Sequence, residues 1–337
     1  MATLKFNTES ARTIDKEKIV IESKLISSLK RVFRDIADDA AKLYIANDRL
    51  DAKDIATNYK AEILVEVRKA LRSSIKKFGY SIRDNISKKH NLNFAIENKI
   101  KLIDLELKKT EKIVDEDLEE NVEEINNEFN KDATLFIANE SEKQTDFITD
   151  TNEKQLEKAV AFGGAVYTAK LSELQKEKDI ITQDFLRASG TSEEAKLERR
   201  LRRVNNAINE TTNKRPLTIA EELRKKIIDE SQSRSELIAS QNVGLGESWA
   251  RNREAEIINN ANLITEAGQT IKIKKQWVSI LDMHTRPAHR SADGQRVDIN
   301  ERFLVDDESL KFPRDPNGSH RNIINCRCVS IYTDEIY

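Results

Sequence analysis

The stretch “IKIKKQWVSIL”, residues 271–281, marks the place where the sequence leaves a helical pattern for a mixed one. It is short, rich in β-branched residues and contains Trp277, which predicts a β-strand. A second such segment, “INCRCVSIY” at residues 324–332, alternates Ile324, Cys326, Cys328 and Ser330 on one face. Between the two segments, Asp293-Gly294 is a strong turn signal. The end of the sequence therefore predicts a small module that contains β-strands.

Upstream of this stretch, the spacing of apolar residues predicts long helices. All four prolines lie after residue 215, so no proline breaks the earlier sequence. Over residues 15–48, the apolar positions at helical spacing are Leu25, Leu29, Val32, Ile36, Ala40 and Leu43. A second helix is predicted between Asp51, its expected N-cap, and Gly79, with one apolar face formed by Ile55, Tyr59, Ile63, Val67, Leu71 and Ile75. Residues 80–130 show a helical but less regular pattern.

These patterns predict a mainly α protein, with a long-helix N-terminal region and a small C-terminal α+β module. We assign the helical region to residues 1–229 and the module to residues 230–337. Within the helical region, “AFGGAV” at residues 161–166 interrupts the apolar pattern. Gly163 and Gly164 predict either a hinge or a close crossing of two helices there.

The composition excludes some classes of protein. Charged residues make up 34% and apolar residues 38% of the chain, a mixture that suits long, solvent-exposed helices. The net charge of -2 provides no global field that would draw the protein onto nucleic acid. No stretch approaches the roughly 18 apolar residues that cross a bilayer, and the first residues lack the apolar core of a signal peptide. We therefore expect a protein made in the cytoplasm, without a membrane partner.

One basic cluster stands out against the low net charge. The segment “ERRLRRVNN” at residues 198–206 places four arginines together, Arg199, Arg200, Arg202 and Arg203. On a helix, they could contact the phosphates of nucleic acid. Alternatively, they pair with the nearby Glu193, Glu194 and Glu198. The sequence leaves both interpretations open.

Three blocks near the C-terminus resemble the phage Mu F-like minor head protein family, the phage head morphogenesis proteins. The blocks are “RSELIASQNVGLGESWARN” (234–252), “WVSILDMHTRPAHRSADGQ” (277–295) and “LKFPRDPNGSHRNIINCRC” (310–328). The matching residues are Arg234, Ile238, Ala239, Trp277, Asp282, Thr285, Arg286, His289, Asp293, Gly294, Pro313, Asp315, Pro316, Asn325, Cys326, Arg327 and Cys328. One departure is “ASQN” (239–242), where many relatives carry a Thr-Glu pair after the alanine. The resemblance covers about residues 230–332.

The resemblance implies a virion component of the capsid interior or portal vertex, which is not an enzyme. The implied partners are the phage portal, the major capsid or scaffold protein, and packaged DNA, and the implied work is head assembly, genome packaging or DNA delivery. The alternatives are a DNA-binding protein ejected with the genome and a zinc-dependent or thiol enzyme. Some relatives carry toxin domains after the module; since the sequence ends nine residues after Cys328, we expect none fused here.

Whether the module has a structural or a chemical role depends on how its two cysteines are used. In a strand, Cys326 and Cys328 would lie about 6.6 Å apart along the chain, which is a poor geometry for a disulfide. We prefer the interpretation that both thiols pack inward as small hydrophobic groups. Arg327 then points to the opposite face and pairs with Asp282 or Asp293, and Arg286 pairs with Asp282. Trp249 and Trp277 are expected to anchor the module core.

Two further interpretations of the cysteines remain open. His289, His320, Cys326 and Cys328 are ligand types that zinc uses, and the resemblance adds that some relatives place a Cys pair at positions 286 and 289. Apart from this structural zinc, no cofactor is expected. A thiolate nucleophile with a histidine base is the other interpretation, but no oxyanion site is evident. The preferred interpretation predicts that Arg327→Ala unfolds the module, whereas Cys326→Ser combined with Cys328→Ser destabilises it only mildly.

Overall fold

A computed structural model describes residues 2–79, 81–82, 119–188, 190, 192–261 and 269–337. Its helices are α1 (Ala2–Asn47), α2 (Ala52–Asn58), α3 (Lys60–Phe78), α4 (Glu119–Arg187), α5 (Glu194–Asn213), α6 (Arg215–Asn260), α7 (Pro287–Ala292) and α8 (His320–Ile323). Its strands are β1 (Ile271–Val278), β2 (Arg296–Asp298), β3 (Phe303–Val305), β4 (Glu308–Leu310) and β5 (Val329–Ile336). The predicted fold class is confirmed, since long helices precede a small module of short strands and helices.

None of the helices in the described ranges combines the length and the apolar composition that crossing a membrane requires. Most of residues 80–130, for which we predicted an irregular helix, lie outside the described ranges, and α4 begins at Glu119.

The chain divides into two compact units, each assembled from distant segments. Unit 1 comprises Met1–Ser28, Leu64–Gln144 and Ser235–Tyr337, and unit 2 comprises Leu29–Ile63 and Thr145–Arg234. The boundary at residues 229 and 230 stays a prediction, and α6 runs through these positions without a break.

The apolar stripe predicted for the first helix is buried except at one position. Leu43, which we expected to be buried, is 43% exposed, and the neighbouring Tyr44 is buried instead. The capping prediction is confirmed, because the Asp51 side chain accepts a hydrogen bond from the amide of Asp54 at 3.0 Å. The helix predicted after Asp51 is divided into α2 and α3 at Tyr59. The Tyr59 hydroxyl donates to Asp39 at 2.7 Å.

In unit 2, Gly163 lies inside the continuous helix α4. A Cβ atom at this position would come within 2.8 Å of the carbonyl oxygen of Ile219 on α6. This contact fits the close helix crossing that we predicted, and the hinge stays a prediction. Gly164 has no such neighbour within 4 Å.

In unit 1, the predicted strand at residues 271–281 is confirmed as β1, the middle strand of a sheet with the order β2-β1-β5. Both neighbours are antiparallel, and β5 pairs with β1 from Ile271↔Ile336 to Val278↔Val329. Strands β3 and β4 form a separate antiparallel pair. The prediction that Cys326 and Cys328 belong to a strand is wrong, because β1 ends at Val278 and leaves them no partner backbone.

Helix α6 runs without a break through Gly244 and Gly246. Both glycines make room for other side chains. A Cβ at Gly244 would collide with the guanidinium of Arg314, and one at Gly246 would come within 2.9 Å of the Ser74 Cβ. The Ser74 hydroxyl donates to the carbonyl of Val243 at 2.7 Å. These glycines therefore serve close packing within unit 1.

A buried ion pair on α6 holds strand β5. Glu247 and Arg251 are separated by 2.9 Å and are almost fully buried. Arg251 also donates to the backbone carbonyl of Ser330 at 2.9 Å and lies over the ring of Tyr332. Burial alone would raise the pKa of Glu247, but the charges of Lys18 and Arg251 outweigh it and hold that pKa below its usual value. Glu247 therefore stays ionised inside the unit.

We expect Arg251→Met to destabilise unit 1 by about 3–5 kcal/mol, because it leaves the Glu247 charge buried without its partner. Urea unfolding followed by tryptophan fluorescence measures this loss, since Trp249 and Trp277 both belong to unit 1. A control is Lys77→Met, which removes an exposed pair with Glu17 and should cost less than about 1 kcal/mol. Equal costs for the two variants would contradict the assigned role of Arg251.

Candidate functional site

A thiol–imidazole cluster lies in the C-terminal module. His289, Cys326 and Cys328 are buried, and their potential ligand atoms all lie within 4.8 Å of one another. The His289 Nδ1 is 3.3 Å from the sulfur of Cys328 and 3.6 Å from that of Cys326. Both cysteines are free thiols. Helix α7 supplies the imidazole, and the segment between α8 and β5 supplies both sulfurs.

The local backbone explains how one short segment presents both sulfurs. Asn325 has a φ of 57°, in the left-handed region that asparagine tolerates better than most residues. The chain turns there out of α8 and continues extended, so that Cys326 and Cys328 face inward and Arg327 outward. The inward and outward directions match the preferred interpretation of this motif.

Ser279 and Trp277 surround the cluster. The Ser279 hydroxyl donates to the carbonyl of His289 at 2.7 Å and lies 3.4 Å from the Cys328 sulfur. The Trp277 indole donates to this hydroxyl at 3.2 Å, and its ring meets the His289 ring edge to face. The backbone amide of Ser279 donates to Asp293 at 2.7 Å. These contacts fix both the imidazole and one thiol.

The two thiols have opposite electrostatic environments. The contact with Cys328 lowers the pKa of Cys326, and His289 and the charge of Arg314 act in the same direction against burial. The same thiol contact, together with burial, raises the pKa of Cys328. These opposite shifts belong to two thiols in contact, so loss of a proton from one opposes loss of a proton from the other.

The structure brings together three of the four predicted metal ligands. His320 is exposed and begins helix α8, away from the cluster. Asn322 and Ile323, on the same helix, are buried instead. The assignment of His320 to the ligand set is therefore wrong, because the helix turns its imidazole to the surface.

Outside the cluster, Arg327 pairs with Asp282, one of the two carboxylates considered for it. The Arg327 Nη2 and Asp282 Oδ1 are 2.6 Å apart, and both side chains are about one third exposed or more. The hydrogen bond from Arg327 is the main reason why the pKa of Asp282 is lowered to about 2. Asp282 also accepts from the amide of His284 and the hydroxyl of Thr285.

The predicted pair between Arg286 and Asp282 is wrong. Arg286 donates to the carbonyl of Ile324, so it holds the chain just before Asn325. Residues 282–285 form a turn, and helical spacing does not apply to them. Arg290 binds this turn instead, through the carbonyls of Asp282 and Thr285.

The other motif residues belong to a loop, a turn and helix α6. Asp315 is buried and accepts from the amides of Lys311 and Asn317, which closes the loop that contains Pro313 and Pro316. Gly294 has a φ of 79° at the predicted turn. The buried Ile238 and Ala239 belong to α6.

Arg234 belongs to unit 2, not to the unit that holds the cluster. Its guanidinium lies over the ring of Phe33, 4.9 Å from the ring centre, and donates to the carbonyl of Ile148. Burial lowers the pKa of Arg234 to about 10, against the opposing charge of Glu230. This motif residue therefore contributes to helix packing.

The four arginines of the basic cluster are exposed on α5 in unit 2. Arg202 pairs with Glu198 at 2.5 Å, and Arg200 lies 3.9 Å from Glu177. Of the carboxylates that we expected to pair with these arginines, Glu198 does so, whereas Glu193 pairs with Lys196. Contact with nucleic acid stays a prediction.

Several notable residues were not singled out from the sequence. Arg314 has a φ of 67° and a buried guanidinium, whose Nε and Nη1 find no hydrogen-bond partner among the described residues. A groove of about 600 Å³ in unit 1 is lined by the stacked rings of Phe136 and Trp249 and by charges of both signs. The sulfurs of Cys326 and Cys328 do not line this groove. No local motif indicates the role of Ser279, because that role depends on residues of α7 and of the segment before β5.

The burial of these groups reverses the order of the two substitution effects predicted above. We expect Arg327→Ala to cost about 1 kcal/mol or less, because its pair with Asp282 is partly exposed. Cys326→Ser combined with Cys328→Ser should cost more, because each buried hydroxyl costs roughly 1–3 kcal/mol where it lacks a good partner. Tryptophan-monitored urea unfolding of both variants compares them. A larger loss for Arg327→Ala would restore the original order.

Comparison with known proteins assigns the family. A family model described as Phage Mu protein F like protein matches residues 116–331. The match includes the motifs at 234–328 and begins well upstream of them. An NAD(+)--arginine ADP-ribosyltransferase EFV from Enterococcus faecalis (strain ATCC 700802 / V583) is 43% identical over 61 residues, which are 18% of this chain and 12% of that protein. The chain thus spans only a small part of that relative's length, and no solved structure matches. Since the family match covers more than half of the 337 residues, the chain belongs to the Phage Mu protein F like family of phage head morphogenesis proteins.

Proposed function

We propose that this chain is a minor head protein of a tailed phage, located in the capsid interior or at the portal vertex. The family match over residues 116–331 carries this proposal. It includes much of the helical region as well as the module, so it supports a role for both. The protein acts in head assembly, genome packaging or DNA delivery by binding the portal, the major capsid protein or the scaffold.

Binding fits the described groups better than chemistry does. The thiols and His289 are buried in the module core, apart from the groove that a substrate could enter. A nucleophile needs access to its substrate as well as a neighbouring base. The ADP-ribosyltransferase match covers 12% of that protein, too little to extend the activity in its name to this chain.

Two large apolar side chains are exposed near the end of helix α4. Ile180 and Leu186 are 62% and 71% exposed there. We assign the contact with a protein partner to these two exposed side chains. Helix α4 extends for 69 residues, which gives a partner a long side surface.

The test uses procapsids assembled from the portal, capsid and scaffold proteins of the phage that encodes the chain. We expect the wild-type chain to co-purify with them and Ile180→Asp combined with Leu186→Asp to be depleted several-fold, because charges replace the apolar contact. Gln175→Asp, an exposed position on the same helix, is the control and should be incorporated normally. Absence of the wild-type chain from procapsids would overturn the proposal. Normal incorporation of the double variant would only exclude this surface.

A second candidate function is that of a DNA-binding protein that leaves the head with the genome. The observation in its favour is the exposure of all four arginines of the basic cluster on α5. Exposed cations of this kind bind phosphates in a salt-dependent way. Pairs with Glu198 and Glu177 occupy two of them and weaken the case.

A gel shift with double-stranded DNA tests this candidate. If the cluster binds DNA, replacing Arg199, Arg200, Arg202 and Arg203 by glutamine abolishes the shift, and added salt weakens wild-type binding. The exposed arginines Arg296 and Arg302 of the module provide a matched control and can be replaced in the same way. If the variant with all four arginines replaced still shifts the DNA, the basic cluster is not the DNA-binding site.

A further inference from the structure

We propose that His289, Cys326 and Cys328 form a binding site for a thiophilic divalent cation of the zinc class. The proposal rests on three ligand atoms that converge from separate elements inside the module core. It goes beyond the head-protein function, because neither partner binding nor family membership requires an ion there.

The distances between the ligand atoms agree with a tetrahedral zinc site. Typical Zn–S and Zn–N bonds are about 2.3 and 2.0–2.1 Å, so a nitrogen and a sulfur on neighbouring vertices lie about 3.5 Å apart. In the module, His289 Nδ1 is 3.3 Å from one sulfur and 3.6 Å from the other. An ion can therefore bind without a large rearrangement of the three side chains.

The arrangement around these atoms also suits a metal ligand set. Ligating groups are usually held by hydrogen bonds from outside the first coordination sphere. Here the Ser279 hydroxyl contacts the Cys328 sulfur and holds the His289 backbone, and Trp277 holds this hydroxyl in turn. The chain supplies three ligands, which leaves the fourth vertex to a water molecule.

The ion would cross-link two parts of the module. It joins α7, through His289, to the segment that leads into β5, through both cysteines. Because the unfolded chain does not hold these groups together, the binding free energy adds to the stability of the folded module. The role inferred for the ion is to stabilise the module, and the burial of all three ligands agrees with it.

The test uses the full chain, purified with reduced thiols and freed of metal by a chelator. Zinc should then bind stoichiometrically, and its removal should lower the temperature at which tryptophan fluorescence reports unfolding. Cobalt(II) in place of zinc should give the absorption of a tetrahedral thiolate complex, and X-ray absorption should show two sulfur neighbours. If the reduced wild-type chain binds neither metal, the proposal fails, whatever the variants do.

Variants locate the site. Cys326→Ser combined with Cys328→Ser should abolish the cobalt–thiolate absorption, and His289→Gln should weaken binding at least tenfold. His320→Gln is the matched control, since His320 lies outside the cluster, and it should bind as the wild type does. Circular dichroism shows whether each variant is folded. Full binding by a folded double-cysteine variant, or loss of binding by His320→Gln, would place the ion elsewhere and overturn the proposal.

Discussion

The buried ion pair between Glu247 and Arg251 fixes the architecture of the C-terminal module. Arg251 uses one guanidinium to neutralise a carboxylate on its own helix and to hold the backbone of β5 at Ser330. Since β5 pairs with β1 along its whole length, this contact positions both strands. A buried charge pair is costly to break but gives little net stability. Through the carbonyl of Ser330, it connects the sheet to α6.

The thiol–imidazole cluster depends on that position. Cys328 immediately precedes β5, and Ser279 immediately follows β1, so both lie at the same end of the paired strands. Trp277, the last residue but one of β1, contacts Ser279 through its indole N–H and the His289 ring through its own ring. The sheet register therefore determines how close the sulfur and the hydroxyl come. The partly exposed pair Arg327–Asp282 connects two of the loops around the cluster.

Periodicity in the sequence predicts which segments form helices and strands, but not which charges are buried. The alternation in β1 places Lys275 on the inner face with Ile273 and Trp277, and the structure indeed buries it. Its amine finds the carbonyl of Lys311, from a distant loop that no local pattern reveals. Likewise, the spacing of Glu247 and Arg251 fits a helical pair, but it does not show that both are buried or that Arg251 binds the backbone of β5. The space beside Gly244 is taken by the side chain of Arg314, which is also distant in sequence.

The segments of unit 1 come from both ends of the sequence, whereas unit 2 is complete at Arg234. During translation, the residues of unit 2 therefore leave the ribosome before Ser235–Tyr337 have been made. Within unit 1, Ser235–Tyr337 is made only after all residues of unit 2, and contacts between residues so far apart in sequence slow folding. Unit 1 is therefore completed after unit 2, and the thiol–imidazole cluster cannot form before Cys328 has been made.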